Sequence, residues 1–408
     1  MRILLIHQFF LEDDQGGGSR WNEMSRMWTE SGNEITVLAG MTHYMENTKS
    51  RYDGKYFHSS TNRDLVKVIR CHVSSGDTSF ISRVWSFLSF VVSGILGGIF
   101  LAKEKYDIII VTSPPLFVGV IAIFLSWWKN IPFVFEVRDL WPESAIDTGV
   151  LKNKYLIRFS FWFEKLVYQK AKLICVLTPA FREILINQKY VAAHKIISIP
   201  NGADFIFSDK LLTSFDSDSF RKIHSLENQF VITYVGAHGI ANHLSQVLET
   251  AELLRDTKVV FLLIGNGSEK QDLIKEANRK QLSNVRFIDS VSKSEVFQYI
   301  LASDVGMSVL KKTDIFKTIY SNKTFDYLSC KKPVLMAIDG ISKTLIEEAN
   351  GGLFVEPENP QDFADKIRFY QQNPDHAKRQ GENGYSFVKN HFDREVLATV
   401  YLNYIRGI

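Results

Sequence analysis

FKTIYSNKTFDYLSCKKPVLM, residues 316–336, reads as a loop, a short helix and a buried strand. Ser321 has the chemistry of an N-cap, Asn322 to Ser329 allow two turns, and Lys331-Lys332-Pro333 ends them before the apolar run 334–337. A helix start presents free backbone N–H groups and the positive end of the helix dipole, which suits a phosphate. Lys323 falls in the first turn and Asp326 three residues later, so a cation and a carboxylate share one face beside that anion site. An ordinary capped helix with a solvated lysine shows the same pattern, and the segment alone does not separate the two.

Outward from this segment the chain alternates short apolar strands with helical patterns. RILLI, EITVLAG, LVKVIRC, DIIIVTSPP, FVFEV, LICVLT and KIISIP form a first set, with a helix expected near 20–31 and a polar excursion over 41–63. The pattern pauses in a turn at Pro200-Asn201-Gly202, followed by the polar stretch 208–222, which places a domain joint there. FVITYVG, FLLIG, VRFID, VGMSVL and PVLMA form a second set, with a helix near 244–255 after the first of them. Such alternation predicts an α/β protein with two doubly wound, Rossmann-like parallel sheets facing across a cleft, where ligands meet the carboxyl ends of the strands.

Composition excludes more than it identifies. The 408 residues are enough for two cores, and 48 Lys plus Arg against 45 Asp plus Glu give no field that argues for nucleic acid. Cys71, Cys175 and Cys330 form no CxxC pair, which suits a reducing cytoplasm and offers no metal site. The apolar run 3–6 after Met1-Arg2 is too short for a signal-peptide core, so an unprocessed cytoplasmic protein is expected.

Membrane contact is the other signal. Residues 84–102, VWSFLSFVVSGILGGIFLA, carry no charge and reach the length of a spanning helix, though their Ser and Gly content also fits a core helix. Residues 151–172, LKNKYLIRFSFWFEKLVYQKAK, set six Lys and Arg against the single Glu164 among four closely spaced aromatics. A basic aromatic helix suits an anionic membrane surface, whereas the alternatives for these segments are buried core helices or a true span.

Glycine-rich turns follow the first strand of each half, Gly16 to Gly18 and Gly236 to Gly239. Glycine permits close backbone approach to a phosphate. Neither turn matches G-x-x-x-x-G-K-[ST], and Gly265-Asn266-Gly267 lacks the third glycine of the dinucleotide fingerprint, so NTP hydrolysis and NAD binding are poorly supported.

In order along the chain, GGGSR, EVRDLWPES (136–144), IPNGAD, YVGAHG, LLIGNG and SNKTFDYLSCKKPVL resemble family four of the retaining glycosyltransferases, which have the GT-B fold. RDLWPES with SNKTFDYL is most similar to the bacterial branch that builds O-antigen and capsule repeats, including N-acetyl-fucosamine transferases. The resemblance implies an acceptor-side domain over 1–200, a nucleotide-sugar domain over 201–385, and a C-terminal helix in 386–408 crossing back to the first. It implies transfer of a sugar, an N-acetylated 6-deoxyhexose, from a UDP-sugar to a polyprenyl-diphosphate-linked saccharide at the inner face of the plasma membrane. No cofactor or metal is expected to be required.

The same resemblance assigns Gly17, Gly18, Gly239, Gly265, Ser321 and Asn322 to the donor. Asp326 matches the second carboxylate of the E-x7-E pattern, which holds ribose hydroxyls, with a shorter side chain. Thr318 stands where the first Glu would contact the donor sugar, and Ala237 and His243 replace the usual Arg and Lys at the pyrophosphate. Lys323 is therefore expected to supply the missing positive charge, with Arg138 and His238 behind it. Arg138 and Asp139 match the acceptor-side pair, as phosphate clamp and general base, or else as a pair that only pins the loop. A UDP-sugar 2-epimerase on the same fold and a non-enzymatic two-lobed binding protein are the competing readings.

Overall fold

Apolar runs bounded by turns form the strands here, and they assemble into two separate sheets. The computed structural model describes residues 1–13, 20–41, 52, 54–74, 80–147, 149 and 151–408. The chain divides into two units, one made of the chain up to Pro200 together with Glu395–Ile408, the other of Asn201–Arg394.

The first unit contains β1 (Arg2–Ile6), β2 (Glu34–Gly40), β3 (Phe57–Thr61), β4 (Lys67–Cys71), β5 (Ile108–Ser113), β6 (Phe133–Val137), β7 (Leu173–Val176) and β8 (Ile196–Ser198). They lie in the order β3-β4-β2-β1-β5-β6-β7-β8, parallel except for β3 against β4. All six residues of β5 are buried, as expected for a strand covered on both faces. The final helix Arg394–Arg406 closes this core, with Tyr401 against Trp21 and Trp28, and Trp28 Nε1 donating to the Ala398 carbonyl at 2.8 Å.

The second unit contains β9 (Phe230–Val235), β10 (Val259–Ile264), β11 (Val285–Ile288), β12 (Val305–Val309), β13 (Val334–Ala337) and β14 (Gly352–Phe354). They form an all-parallel sheet in the order β11-β10-β9-β12-β13-β14. Residues 386–391 finish the helix Pro374–His391 of this unit.

Two strands carried no sequence signal. β3, FHSST, is a solvent-facing edge strand within the polar excursion, and β14, GLF, is only three residues long. The apolar segment 84–102 becomes the helix Phe80–Phe100, and no helix among the described residues is long and apolar enough to cross a membrane. Its glycines serve packing. A Cβ on Gly98 would come within 2.4 Å of Leu125 Cδ1, so the backbone of this helix lies directly against the helix Val118–Lys129.

Candidate active site

The second sheet changes direction between β9 and β12, because β10 and β11 extend it one way and β13 and β14 the other. Open α/β sheets bind ligands beyond the carboxyl ends of the strands at such a point. Gly236 follows β9 with φ of 143°, and the helix Asn322–Ser329 packs on β12. Tyr327 of that helix holds the end of β9, its hydroxyl accepting the Val235 N–H at 2.9 Å. Lys323 rises from the first turn beside Gly236, where an added Cβ would lie 3.2 Å from Lys323 Cε. The Lys323 ammonium lies 4.8 Å from the centroid of the Tyr234 ring. The residue as a whole keeps some exposure, yet burial of the ammonium pushes its pKa down to about 8, against the opposing pull of Asp326.

Ser321 occupies the N-cap position but does not cap. Its hydroxyl donates to Ser308 Oγ at 3.2 Å, Ser308 and Thr324 share a further hydroxyl contact at 3.0 Å, and the Ser321 N–H donates to Ser342 Oγ at 3.2 Å. Small polar groups beneath the helix thus draw the hydroxyl downward and leave the helix start open to an anion. Asn322 is exposed and accepts from Asn201 Nδ2. Asp326 is half-buried on the same helix. Thr318, at the end of the turn Asp314–Thr318, donates its hydroxyl to the Ile315 carbonyl at 2.6 Å.

Two expectations in this unit need correction. His238 is fully buried, with ring contacts to Tyr234 and Phe287, and neither ring nitrogen has a hydrogen-bond partner among the described residues. Burial and the nearby Lys270 push its pKa down to about 4, with Asp289 opposing, so it is neutral at physiological pH and adds no charge toward a diphosphate. Gly265 does not clear space for a phosphate either. A Cβ there would meet the Gly236 carbonyl oxygen at 1.9 Å, so its missing side chain is replaced by the neighbouring turn. The two turns are joined by the His238 N–H donating to the Asn266 carbonyl at 2.9 Å. Lys270 locks them, donating to the Gly265 and Ile288 carbonyls and to Asn266 and Asp289 at 2.6 to 3.0 Å. Gly239 instead lines a cavity of about 130 Å³ together with His243 and Lys311, and none of the residues at the helix start of Asn322–Ser329 borders it.

In the first unit Gly17 and Gly18 lie outside the described residues. Arg138 and Asp139 are half-buried just beyond β6. Ser144 Oγ donates to Asp139 Oδ2 at 2.7 Å, and burial raises the pKa of this carboxyl while that hydrogen bond lowers it. Below them, Glu136 is fully buried on β6. Its carboxylate accepts from Arg20 Nη2 at 3.1 Å, Trp21 Nε1 at 2.9 Å and Thr112 Oγ1 at 3.2 Å. Arg20 in turn donates to the Ile199 and Pro200 carbonyls at 2.9 and 2.7 Å.

Residues 15–202 match the family described as "Glycosyl transferase 4-like domain", and residues 216–387 match "Glycosyl transferases group 1". Each half of the chain thus carries a glycosyltransferase domain, 4-like in the first half and group 1 in the second. It is 23% identical, over the full length of both chains, to the putative colanic acid biosynthesis glycosyl transferase WcaI of Escherichia coli. Among solved structures, the sucrose-phosphate synthase of Thermosynechococcus elongatus superposes with a TM-score of 0.76 at 16% identity, covering 100% of this chain and 98% of that one. Anabaena HepE in complex with UDP-glucose superposes with a TM-score of 0.73 at 15% identity, covering both chains completely. These likenesses establish the two-sheet GT-B fold.

Within this glycosyltransferase the structure gathers Ser321, Asn322, Lys323 and Asp326 at one helix start, places Thr318 just before it, and sets Gly239 on the separate cavity. Sequence reading assigned no role to Glu136, Arg20, Lys270 or Lys311. The buried pair left one signal, an acid within the otherwise apolar strand FVFEV. Lys311 left another, a lysine pair directly after a strand of the second sheet.

Proposed function

We propose that this glycosyltransferase moves a sugar from a UDP-sugar to a polyprenyl-diphosphate-linked saccharide, retaining the anomeric configuration of the donor, in assembly of an O-antigen or capsule type of polysaccharide. The observation that carries the reading is Lys323, a cation beside an uncapped helix start at the switch point of the second sheet. Cleavage of a nucleotide-sugar bond leaves negative charge on the diphosphate, and a fixed ammonium with free N–H groups stabilises it without reorganising. These groups supply the positive charge, so no divalent metal is needed in this reading. HepE, solved with UDP-glucose, supports a UDP-sugar, and WcaI, named for colanic acid biosynthesis, supports a surface polysaccharide. The motif resemblance supports an N-acetylated 6-deoxyhexose such as N-acetyl-fucosamine as the sugar. Arg138 and Asp139 act on the acceptor side, and the leaving phosphate itself helps to deprotonate the acceptor hydroxyl.

An acceptor on a lipid requires the enzyme to meet a membrane surface. Of the seven tryptophans, Trp85, Trp127, Trp128 and Trp162 are each more than half exposed, on the helices Phe80–Phe100, Val118–Lys129 and Lys154–Lys170. On the last of these Lys154, Arg158, Lys165 and Lys170 are exposed, whereas its one acid, Glu164, is 2% exposed. The outward face is therefore cationic and aromatic, which supports peripheral docking on the anionic inner leaflet.

A donor screen with UDP-, GDP- and TDP-sugars against a synthetic lipid-diphosphate saccharide tests this reading. Transfer from a UDP-linked N-acetylated 6-deoxyhexose, with retained anomer and only when acceptor is present, is expected. Conversion of a UDP-sugar without acceptor would identify a 2-epimerase, and absence of transfer from every UDP-sugar would overturn the proposal.

A further inference from the structure

One lysine joins the loop beyond β6 to the basic aromatic helix. Lys189, two residues past the helix Pro179–Asn187, has a side chain only 12% exposed and pairs with carboxylates from two elements. Glu164 of the helix Lys154–Lys170 lies 2.7 Å away, and Glu143, at the start of the helix Glu143–Asp147, contacts the same ammonium. Glu164 also accepts from the Tyr168 hydroxyl at 2.9 Å, and the ammonium sits 4.6 Å from the Phe161 ring centroid. The second carboxylate oxygen of Glu143 is buried and has no hydrogen-bond partner among the described residues. A buried acid and a partly exposed one thus share one cation. Burial pushes the Glu164 carboxyl up to about 7, with Lys189 and Tyr168 opposing and Glu143 adding to the rise. Ser144, next to Glu143 in the chain, holds the Asp139 carboxylate. Whatever fixes Glu143 therefore fixes the segment that presents Arg138 and Asp139.

We infer that Lys189 is a positioning residue for the acceptor side, tying the loop that carries Arg138 and Asp139 to the helix Lys154–Lys170. The inference rests on the proposed acceptor role of that loop. Without the ammonium, the buried Glu164 carboxylate faces the partly exposed Glu143 carboxylate with no cation between them, so Glu164 takes up a proton or the two turn apart. Either response removes the ion pairs that tie the loop to the helix.

The test compares wild type, Lys189→Met and Lys189→Arg in the full chain, by amide hydrogen exchange over residues 139–147 and by steady-state kinetics with donor and acceptor varied separately. Lys189→Met is expected to speed exchange over that segment about tenfold, since local opening reports local contacts. It is expected to lower kcat/KM for acceptor about tenfold while the donor KM stays within about twofold, the signature of a misplaced group. Lys189→Arg keeps the charge and restores much of both. Unchanged exchange over 139–147 overturns the inference, as does an equal loss for donor and acceptor. Should Lys189→Met fail to fold, Glu143→Gln removes the loop's side of the pair and is read by the same exchange. Exchange needs no turnover, so absence of transfer by the wild type would sink the functional proposal and leave the loop contact still to be decided by exchange.

Discussion

Each unit holds a basic side chain whose charged end is buried, and the two are treated in opposite ways. Arg20 in the first unit meets Glu136, which is itself held by Trp21 and Thr112, and spends its other donors on the Ile199 and Pro200 carbonyls. Lys323 in the second unit faces an aromatic ring, with Asp326 acting on it electrostatically and no carboxylate of the described residues within ion-pair distance. A buried charge whose hydrogen-bonding capacity is filled by protein holds structure. One left with donors to spare, beside open helix N–H groups, is available to a ligand of opposite charge. The contrast predicts that losing Arg20 damages folding and losing Lys323 damages catalysis.

Arg20→Met gives the largest effect. It leaves Glu136 buried without its cation, and breaking such a pair costs about 3–5 kcal/mol. Urea unfolding followed by circular dichroism measures the loss; a cost below about 1 kcal/mol, the size of an ordinary hydrogen bond, would remove the structural half of the comparison. Lys323→Met comes next. It is expected to lower kcat/KM by about 10²-fold or more, the size found when one preorganised donor to a developing charge is removed. Its melting temperature should not fall, because the native state already disfavours that ammonium. A variant with normal kcat/KM and a lower melting temperature would reverse the assignment.

The parallel strands were legible in the sequence because burial on both faces makes them continuous apolar runs, as in VVFLLI of β10. β3 escaped because an exposed edge strand needs no such run. Motifs marked where the glycine turns and the helix Asn322–Ser329 lie but not what their atoms do. Gly265 reads as a donor-binding glycine until the Gly236 carbonyl is found where a side chain would stand, and His238 reads as a loop cation until its ring is found buried. Partnerships between distant residues left the weakest trace: Arg20 and Glu136 are 116 positions apart, and Lys189 and Glu164 are 25. Periodicity reports a residue's own burial and says nothing of which charge will stand opposite it.

A smaller effect follows from pH. The Lys323 pKa is depressed to about 8, so the ammonium is present below that value and lost as pH rises through it. Donor kcat/KM should therefore decline above about pH 8, well before an ordinary lysine near 10.4 would titrate. Lys323→Arg removes this limb if the guanidinium fits, because it stays charged. The stability sign runs the other way. Between the folded value and the ordinary one the unfolded chain holds the extra proton, so the cost of burying the ammonium is relieved as pH rises. An acid limb from His238 is not expected near pH 6.5, since its pKa lies at about 4.

The smallest prediction concerns why the helix start stays open. Ser321 could satisfy the first turn itself, yet its hydroxyl lies 3.2 Å from Ser308 Oγ and makes no cap. Ser321→Ala should cost about 1 kcal/mol, as for one lost hydrogen bond, and leave donor KM within about twofold. That cost alone would not distinguish a cap from the Ser308 contact, since caps cost a similar amount. A double-mutant cycle with Ser308→Ala does distinguish them. Coupled residues show an interaction energy of about 0.5 kcal/mol or more, whereas a capping serine would act independently of Ser308. Strict additivity would return the hydroxyl to the first turn, close the anion site in the free enzyme, and remove the feature that sets Lys323 apart from Arg20.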